Sequence, residues 1–269
     1  MIGPTTIGMY ASSLVQAAPA APSWSNVYAL DFDGVDEVAR TYNSGIETSY
    51  TKSGGRTLSF WFRPDALLGS GQQTLFRAET DSVSTYRGFW SFRIRYISAG
   101  VNRLSLQRRV ENGSSFSPAS TFDHGSNIAA TTWQMATVTT DGSGHIIYLN
   151  TTGMSRDTVS SGDWWGDCAF IGNKGVAIAG RPIAFNVCFD GQIDEVTMWD
   201  KELSAAEVTA LYNGGSPIDP TTHSAAANLS NYWRCGDGDT YPTIADNVGA
   251  YDLTMVNMES GDIQTSIVP

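Results

Sequence analysis

The sequence predicts an all-β protein: an antiparallel β-sandwich with one short capped helix and an extended N-terminal arm. Three observations support this fold class. Short segments in which apolar and polar residues alternate recur along the chain, with turn-forming residues between them. Charged residues make up only 16% of the chain, whereas the hydrophobic fraction is 41%, enough for a sizeable core. One segment carries a helix start signal, because Ser204 and Glu207 have the spacing of a capping box.

The predicted strands follow one another at short intervals. In the first, Leu30 and Phe32 alternate with Asp31 and Asp33, so one face is apolar and the other acidic. In residues 88–96, two arginines share the face opposite the apolar side chains. The segments expected to form strands are 27–33, 37–42, 56–63, 73–79, 88–96, 103–109, 132–139, 145–150, 169–172, 186–190 and 193–199. The polar segment 111–127 is expected to form a rim loop.

Residues 190–215 carry the most informative pattern in the chain. They contain a half-buried strand, 193–199, and a helix, 204–213, which Gly214 is expected to end in a left-handed conformation. The strand reads Gly-x-Ile-Asp-Glu-Val and the helix opens with Leu-Ser-x-x-Glu. Two other stretches accompany this pattern: ALDFDGVDEVA at 29–39 and WQMATVTTDGSGHIIYLNTTG at 133–153.

In this order the three stretches resemble the laminin-G-like, or concanavalin-A-like, family of lectins and glucanases. The resemblance implies a jelly-roll sandwich over residues 27–258. Strands within 229–257 are expected to complete the sheets, because a similar segment precedes the opening hairpin in many members of the family. Residues 1–26 remain as the arm and residues 259–269 as a C-terminal tail. Because this sandwich serves many purposes, the fold alone does not assign a function.

Charge and cysteine content exclude several classes of partner. The net charge is −11 and basic residues do not cluster, so nucleic acid and anionic membranes are not expected partners. Cys168, Cys188 and Cys235 match neither a disulfide framework nor a zinc pattern, and we expect them to be reduced and buried. The first residues lack the basic and apolar regions of a signal peptide, which predicts that the chain is not secreted by one.

No catalytic motif is present, so the prediction is that the protein is not an enzyme. The paired carboxylates of the related glucanases have no counterpart, because Asp194 and Glu195 would lie on opposite faces of a strand. A calcium ion is the one cofactor that the sequence suggests. Asp194 is expected on the core side of its strand, and the resemblance suggests calcium near the opening hairpin, with Asp33 and Asp36 as further ligands. The alternative is that Asp194 accepts backbone N–H bonds and binds no metal.

Aromatic residues supply the carbohydrate-binding candidates. Trp164 and Trp165 lie in a turn-rich Gly-Asp-Trp-Trp-Gly-Asp segment and could stack on a sugar ring. The alternative is that this pair closes the open end of the sandwich or contacts another subunit. Trp90 lies within a predicted strand and is expected in the core.

The N-terminal arm is the candidate for assembly. It carries apolar side chains that would order against a neighbouring subunit or, alternatively, remain in a disordered tail. They are Tyr10, Leu14, Val15 and Trp24.

The functional prediction follows from the arm and from a second resemblance. The C-terminal run 232–263 is similar to the ends of laminin-G-like proteins among the structural proteins of tailed, especially marine, bacteriophages. We therefore expect a non-enzymatic virion protein, a capsid decoration (cement) or fibre-type subunit. Its partners would be its own copies, as a trimer, and other virion proteins such as the major capsid protein. The alternative is a carbohydrate-binding lectin module for host recognition, tail-associated or secreted.

Overall fold

A computed structural model describes residues 24–42, 45–46, 54–80, 88–109, 120–157, 164 and 174–265. The described residues form a β-sandwich with one α-helix. The strands are β1 (Tyr28–Asp33), β2 (Val38–Tyr42), β3 (Arg56–Pro64), β4 (Gln72–Thr80), β5 (Phe89–Ser98), β6 (Val101–Arg109), β7 (Ser120–Asp123), β8 (Gln134–Thr140), β9 (His145–Leu149), β10 (Thr152–Gly153), β11 (Lys174–Ile178), β12 (Asp190–Trp199), β13 (Leu229–Trp233), β14 (Thr243–Ile244), β15 (Leu253–Val256) and β16 (Ile263–Thr265). The helix is α1 (Ala205–Tyr212).

The strands form two antiparallel sheets, and this confirms the predicted fold class. Sheet A has the order β10-β9-β8-β3-β12-β1-β16, and β13 also pairs with β12. Sheet B has the order β14-β15-β2-β11-β4-β5-β6-β7. The C-terminal strands enter both sheets, since β13 joins sheet A and β14 and β15 extend sheet B beside β2. Strands from the end of the chain thus complete sheets that its beginning starts.

The core between the sheets forms where the alternating strands turn their apolar faces toward each other. Large aromatic side chains fill it, and burying such side chains stabilises a core most per residue. Phe60 of sheet A meets Phe92 of sheet B with ring centroids 5.7 Å apart. Trp90 packs against Phe76 at 6.3 Å. Cys188 and Cys235 are buried free thiols, as expected, and Cys168 lies outside the described residues.

A second apolar cluster covers the outer face of sheet A. Helix α1 and the segment after it place their apolar side chains over β3, β8 and β12. The cluster comprises Trp61, Met135, Tyr148, Trp199, Leu203, Val208, Leu211, Ala225, Leu229 and Tyr232. As a consequence β12 is buried on both faces over nearly its whole length. The prediction of a half-buried strand at 193–199 was wrong, because it took no account of the helix that packs on the outside.

A β-bulge interrupts β12 and changes the direction of its side chains. The pairing with β3 shifts between Asp194 and Thr197, and Glu195 has a left-handed φ of 51°. Ile193 and Val196 both enter the core between the sheets, which regular alternation would forbid. Asp194 therefore lies on the face away from Val196. The prediction that it lies on the core side was wrong.

Helix α1 begins at the predicted capping box. The Ser204 side chain accepts a hydrogen bond from the backbone N–H of Glu207, and the Glu207 carboxylate accepts one from the backbone N–H of Ser204. At the other end Asn213 is the C-cap residue, with a left-handed φ of 46°. Gly214 follows in a left-handed conformation as well, so the predicted stop lies one residue later than the observed cap.

Three strands differ from the sequence prediction. β11 covers Lys174–Ile178 and lies in the middle of sheet B, whereas a strand was expected at 169–172, outside the described residues. β7 occupies part of the expected rim loop. Ile263–Thr265 forms β16 on the free edge of β1, so part of the expected C-terminal tail belongs to the sandwich. Among the described residues, no helix has the length and apolar character needed to cross a membrane.

Candidate functional site

The predicted carbohydrate-binding tryptophan Trp164 lies in the core. Its side chain is fully buried, its ring centroid lies 4.8 Å from that of Trp90, and it stacks on His145 at 6.3 Å. A sugar on the surface does not reach a ring in this position. Trp165 lies outside the described residues, and Trp90 is in the core as expected.

Asp194, the first of the predicted calcium ligands, accepts two hydrogen bonds from its own chain. Its Oδ2 accepts a hydrogen bond from Asn26 Nδ2 at 2.8 Å, and its Oδ1 accepts one from the backbone N–H of Glu195 at 2.8 Å. The strand register places Asp33 opposite Asp190, which lies four residues before Asp194 at the start of β12. Asp36 follows in the turn after β1. Among the described residues, no group of three or more acidic, histidine or cysteine side chains lies close enough together to hold a metal ion.

The carboxylates of Asp194 and Glu195 occupy the gap between two neighbouring strands. β1 pairs with β12 as far as Ile193, and β13 pairs with it from Val196 onward. Tyr232 of β13 donates a hydrogen bond to Glu195 Oε2 at 2.5 Å. Burial raises the pKa of Asp194 and raises the pKa of Glu195 to about 8. Both carboxyl groups are therefore held inside the fold.

Trp24 of the predicted assembly arm contacts its own chain. Its indole Nε1 donates a hydrogen bond to the Tyr232 hydroxyl at 3.1 Å, and the Arg234 guanidinium lies 5.6 Å from the centre of its ring. Backbone N–H groups of Val27 and Tyr28 donate to Asp237 at 2.8 and 3.0 Å. The end of the arm is thus fastened to the sandwich. Tyr10, Leu14 and Val15 lie outside the described residues.

The outer face of sheet B is rich in arginine, although the protein as a whole is acidic. In β5 the apolar side chains point into the core, so the alternate positions point outward, and the register aligns them with outward positions of β4 and β6. Arg181, in the loop after β11, reaches the same face through its contact with Glu79. We call this surface the arginine face; its arginines are Arg40, Arg77, Arg93, Arg95, Arg103, Arg109 and Arg181.

Two exposed aromatic rings flank one of these arginines. Tyr42 and Phe185 are 38% and 39% exposed. The guanidinium of Arg40 lies 5.9 Å from the centre of the Tyr42 ring and 5.3 Å from that of Phe185. Arg40 also donates a hydrogen bond to the carbonyl of Pro182, which ties it to the loop. We call Arg40, Tyr42 and Phe185 the aromatic platform.

Gly175 makes room for the platform. It lies opposite Tyr42 in the neighbouring strand β11. A Cβ atom at this position would lie 2.7 Å from Cβ of Pro182 and 2.9 Å from Cδ2 of Tyr42. Since such approaches are shorter than van der Waals contact, only glycine allows Pro182 and the Tyr42 ring to pack here.

A buried ion network adjoins the platform. Glu79 is fully buried and contacts two arginines: its Oε2 lies 2.6 Å from Arg77 Nη2, and its Oε1 lies 3.0 Å from Arg181 Nε. Desolvation lowers the pKa of Arg77 to about 10, which still leaves it charged at neutral pH. The Arg77 guanidinium also lies 4.2 Å from the centre of the Phe89 ring. One carboxylate thus neutralises only part of the positive charge on this side of the sheet.

The sequence carries part of the signal for the arginine face, because two arginines in residues 88–96 alternate with the apolar side chains. Tyr42 and Phe185 could not be joined to it from the sequence, because the first ends a strand and the second lies in a loop far along the chain. Only the position of β11 between β2 and β4 brings them onto one surface.

Comparisons with known proteins agree with this fold. Residues 37–209 match a family model described as the concanavalin A-like lectin/glucanases superfamily. The structure is similar to that of a candidate carbohydrate-binding protein from Bacteroides ovatus, with 18% identity, a TM-score of 0.57, and coverage of 91% of this chain and 62% of that one. It is also similar to the CBM40 domain of the Ruminococcus gnavus IT-sialidase bound to α2,3-sialyllactose, with 13% identity and a TM-score of 0.53. That comparison covers 68% of this chain and 95% of the domain.

The family match spans more than half of the sequence, and the observed sandwich is the one that the family predicts. The chain therefore belongs to the concanavalin A-like lectin/glucanase superfamily. It spans about three-fifths of the length of the Bacteroides ovatus protein. A search of curated proteins gives no match to the sequence.

Proposed function

We propose that this protein is a non-enzymatic carbohydrate-binding module that binds its glycan on the outer face of sheet B. The observation that carries the proposal is the aromatic platform. Pyranose rings stack on exposed aromatic side chains, and guanidinium groups donate hydrogen bonds to sugar hydroxyls. Tyr42 and Phe185 are exposed to a similar extent and both rings lie next to the Arg40 guanidinium, so both kinds of contact are available at one place. The carbohydrate-binding proteins with similar folds support this function for the chain.

The absence of catalysis is part of the same proposal. Glycoside hydrolysis in most enzymes uses two carboxyl groups that flank the substrate. The neighbouring acids Asp194 and Glu195 lie under the N-terminal segment, bonded to Asn26 and Tyr232, on the other sheet from the platform. Glu79 lies beside the platform, but two arginines bind its carboxylate. We expect a bound oligosaccharide to remain intact during prolonged incubation, as judged by mass spectrometry; release of shorter sugars would contradict this.

Glycan binding is tested by titration of the whole chain on a glycan array, followed by calorimetry with the best ligand. Tyr42→Ala and Phe185→Ala should each weaken binding about 10-fold or more, because a stacking contact is lost. Tyr28→Ala is the matched control, since Tyr28 is 40% exposed but lies on β1 of the other sheet. Equal affinity of all three variants and the parent would exclude the platform as the binding surface.

The finer part of the proposal is the biological setting. We propose that the module is a structural subunit of a bacteriophage virion, a capsid decoration or fibre-type protein that forms a homo-oligomer, such as a trimer, and contacts the major capsid protein. The similarity of residues 232–263 to phage structural proteins supports this setting. In a symmetric oligomer, several weak glycan contacts would act together and give strong attachment. The alternative, a lectin module for host recognition that is tail-associated or secreted, uses the same surface.

A further inference from the structure

We propose that the glycan bound by the arginine face is acidic, and that its carboxylate or sulfate group binds at Arg93. The inference rests on the proposed carbohydrate-binding function and specifies the chemical class of the ligand. It is carried by a buried guanidinium that has no counter-ion within the described part of the chain and by hydroxyl-bearing residues at neighbouring positions of the sheet.

Arg93 has no carboxylate partner among the described residues. It is 3% exposed, and its Nη1 donates hydrogen bonds to the side-chain oxygens of Gln72 and Gln107, both of them neutral. The acid whose charge acts on it, Asp123, is bound to Arg95 at 2.5 Å. A cation removed from water is unfavourable unless an opposite charge compensates it. The anionic group of a ligand would therefore bind favourably at this position.

Three residues with hydroxyl groups neighbour Arg93 on the same face of the sheet. The register places Thr74 of β4 and Ser105 of β6 directly beside Arg93, and Ser91 lies two residues away on the same face of β5. All three oxygens are buried, as is Arg93 Nε, and none of these atoms has a hydrogen-bond partner within the described parts of the chain. Buried donors without partners cost free energy, whereas each of these could donate to an oxygen of an anion. We call the four residues the anion seat.

The two glutamines connect the anion seat with solvent. Gln72 and Gln107 are only partly buried, and their amide oxygens mark positions from which an acceptor can bind Arg93. Rotation of either side chain would let an anionic oxygen of a ligand replace an amide oxygen. The exchange favours the anion, because hydrogen bonds to a charged acceptor are roughly twice as strong as neutral ones.

The anion seat and the aromatic platform share one surface. Only β11 and β4 lie between β2, which carries Arg40, and β5, which carries Arg93, so the two strands are about 14 Å apart at the usual spacing. Along the strands, Arg93 is offset from Arg40 by two residues. An oligosaccharide of a few sugars could stack on the platform and place an acidic group at Arg93. The surrounding arginines would attract such a ligand, although the net charge of the protein is −11.

The test is calorimetric titration of the whole chain with three probes: trigalacturonic acid, which carries carboxylates; a sulfated heparin-derived disaccharide; and galactotriose, which is neutral. We expect at least one acidic probe to bind about 10-fold or more tightly than galactotriose. Arg93→Gln should abolish that preference. The two acidic probes distinguish a carboxylate ligand from a sulfate ligand.

Arg63→Gln is the matched control, because it removes the same charge from β3 of sheet A. Its effect on affinity should be less than about twofold, as expected for a distant surface charge. Arg93→Lys keeps the charge but loses the planar fork, so it should bind acidic probes with intermediate affinity. Ser105→Ala leaves every charge in place and should weaken binding of the acidic probe several-fold. These two variants carry the test if Arg93→Gln does not fold, as judged by near-ultraviolet circular dichroism.

The outcomes separate this inference from the proposed function. If galactotriose binds and Tyr42→Ala removes the binding, but acidic probes bind no tighter, the carbohydrate-binding function stands and the anion seat is wrong. If neither acidic probe binds the parent chain, the inference is also overturned, and the glycan array decides the function by itself. Folded Arg93→Gln or Arg93→Lys variants that retain the full preference for an acidic probe would contradict the role of Arg93.

Discussion

Gly175 shows how one residue can control the candidate binding surface. Gly175 has no side chain with which to contact a ligand, but a methyl group at this position would overlap Pro182 and the ring of Tyr42. The two flanking groups belong to the loop after β11 and to the end of β2. The conformation of the platform therefore depends on a position that carries no side chain.

We predict that Gly175→Ala destabilises the protein by about 1–3 kcal/mol, because neighbouring groups must move to accommodate an added methyl group. Glycan affinity should fall by about 10-fold or more, since the Tyr42 ring must shift. Urea unfolding and calorimetric titration measure the two effects. Gly69→Ala is the control, because no atom lies within 4 Å of its added Cβ. Unchanged affinity in Gly175→Ala would show that the ring position is not set by this contact.

Glu195 should make the stability of the protein depend on pH. Burial raises its pKa to about 8, from 4.5 in an exposed chain. Between about pH 4.5 and 8 the folded chain thus retains a proton that the unfolded chain has lost, so the free energy of unfolding falls as the pH rises. The slope for one such group approaches about 1.4 kcal/mol per pH unit. Asp194, whose pKa is also raised, adds to the same trend.

We predict that Glu195→Gln makes stability less dependent on pH, because the amide does not titrate. Urea unfolding at pH 5, 6.5 and 8 measures this. Glu207→Gln is the control with the opposite shift. Hydrogen bonds from Lys201 and Ser204 lower the pKa of Glu207 to about 2, so its carboxyl remains ionised in the folded protein throughout this range. Parallel stability curves for Glu195→Gln and the parent would contradict the prediction.

At the level of elements, helix α1 depends on its cap for local stability. It is only eight residues long, which is too short to be stable alone. Packing of Val208 and Leu211 on sheet A and the capping box at Ser204 hold it in place. The same packing buries the outer face of β12, so the cap affects more than the helix.

We predict that Ser204→Ala lowers the free energy of unfolding by about 1 kcal/mol, as is typical when an N-cap hydroxyl is lost. Thr209→Ala is the control within the same helix. Its hydroxyl donates only to the carbonyl of Ala205, one turn earlier, so its loss should change stability by a few tenths of a kcal/mol. Denaturant unfolding compares the two. Equal effects would mean that the capping box contributes nothing specific.

The short strand β16 should contribute measurably although it has only three residues. Its pairing with β1 covers an otherwise free edge, and Ile263 packs against the core between the sheets. We predict that a chain ending at Met258 is destabilised by about 2 kcal/mol, from lost hydrogen bonds and lost apolar burial. A chain ending at Thr265 retains the strand and serves as the control. Identical melting temperatures for both truncations would show that β16 is dispensable.

At the level of the whole molecule, we propose that the part of the N-terminal arm that precedes Trp24 mediates assembly. Because Trp24 and Asn26 bind the sandwich of their own chain, a test of the arm must leave them in place. We predict that the full chain forms an oligomer and that a chain lacking residues 1–22 is a folded monomer. Light scattering measures the mass of each, and circular dichroism checks the fold. If the chain lacking residues 1–22 still forms an oligomer, the proposed role of the arm is wrong.

The strands with clear alternation were predictable, and those determined by their surroundings were not. The hairpin of β8 and β9 agrees with the sequence prediction to within two residues, because its pattern and its turn are local. β11 was missed since its outward positions are Gly175 and Ala177, which show no polar alternation. The bulge at Glu195 was missed because it depends on where β1 ends and β13 begins.

The same distinction holds for the candidate site. The sequence by itself determined the sandwich, the capped helix and the outward arginines of β5, because periodicity and capping act between residues close in the chain. Tertiary structure alone decided that Trp164 is buried and that Asp194 is bonded to Asn26. It also decided that Tyr42 and Phe185 meet on one face. The physical reason is that burial and proximity arise from the pairing of strands far apart in sequence, which no local pattern records.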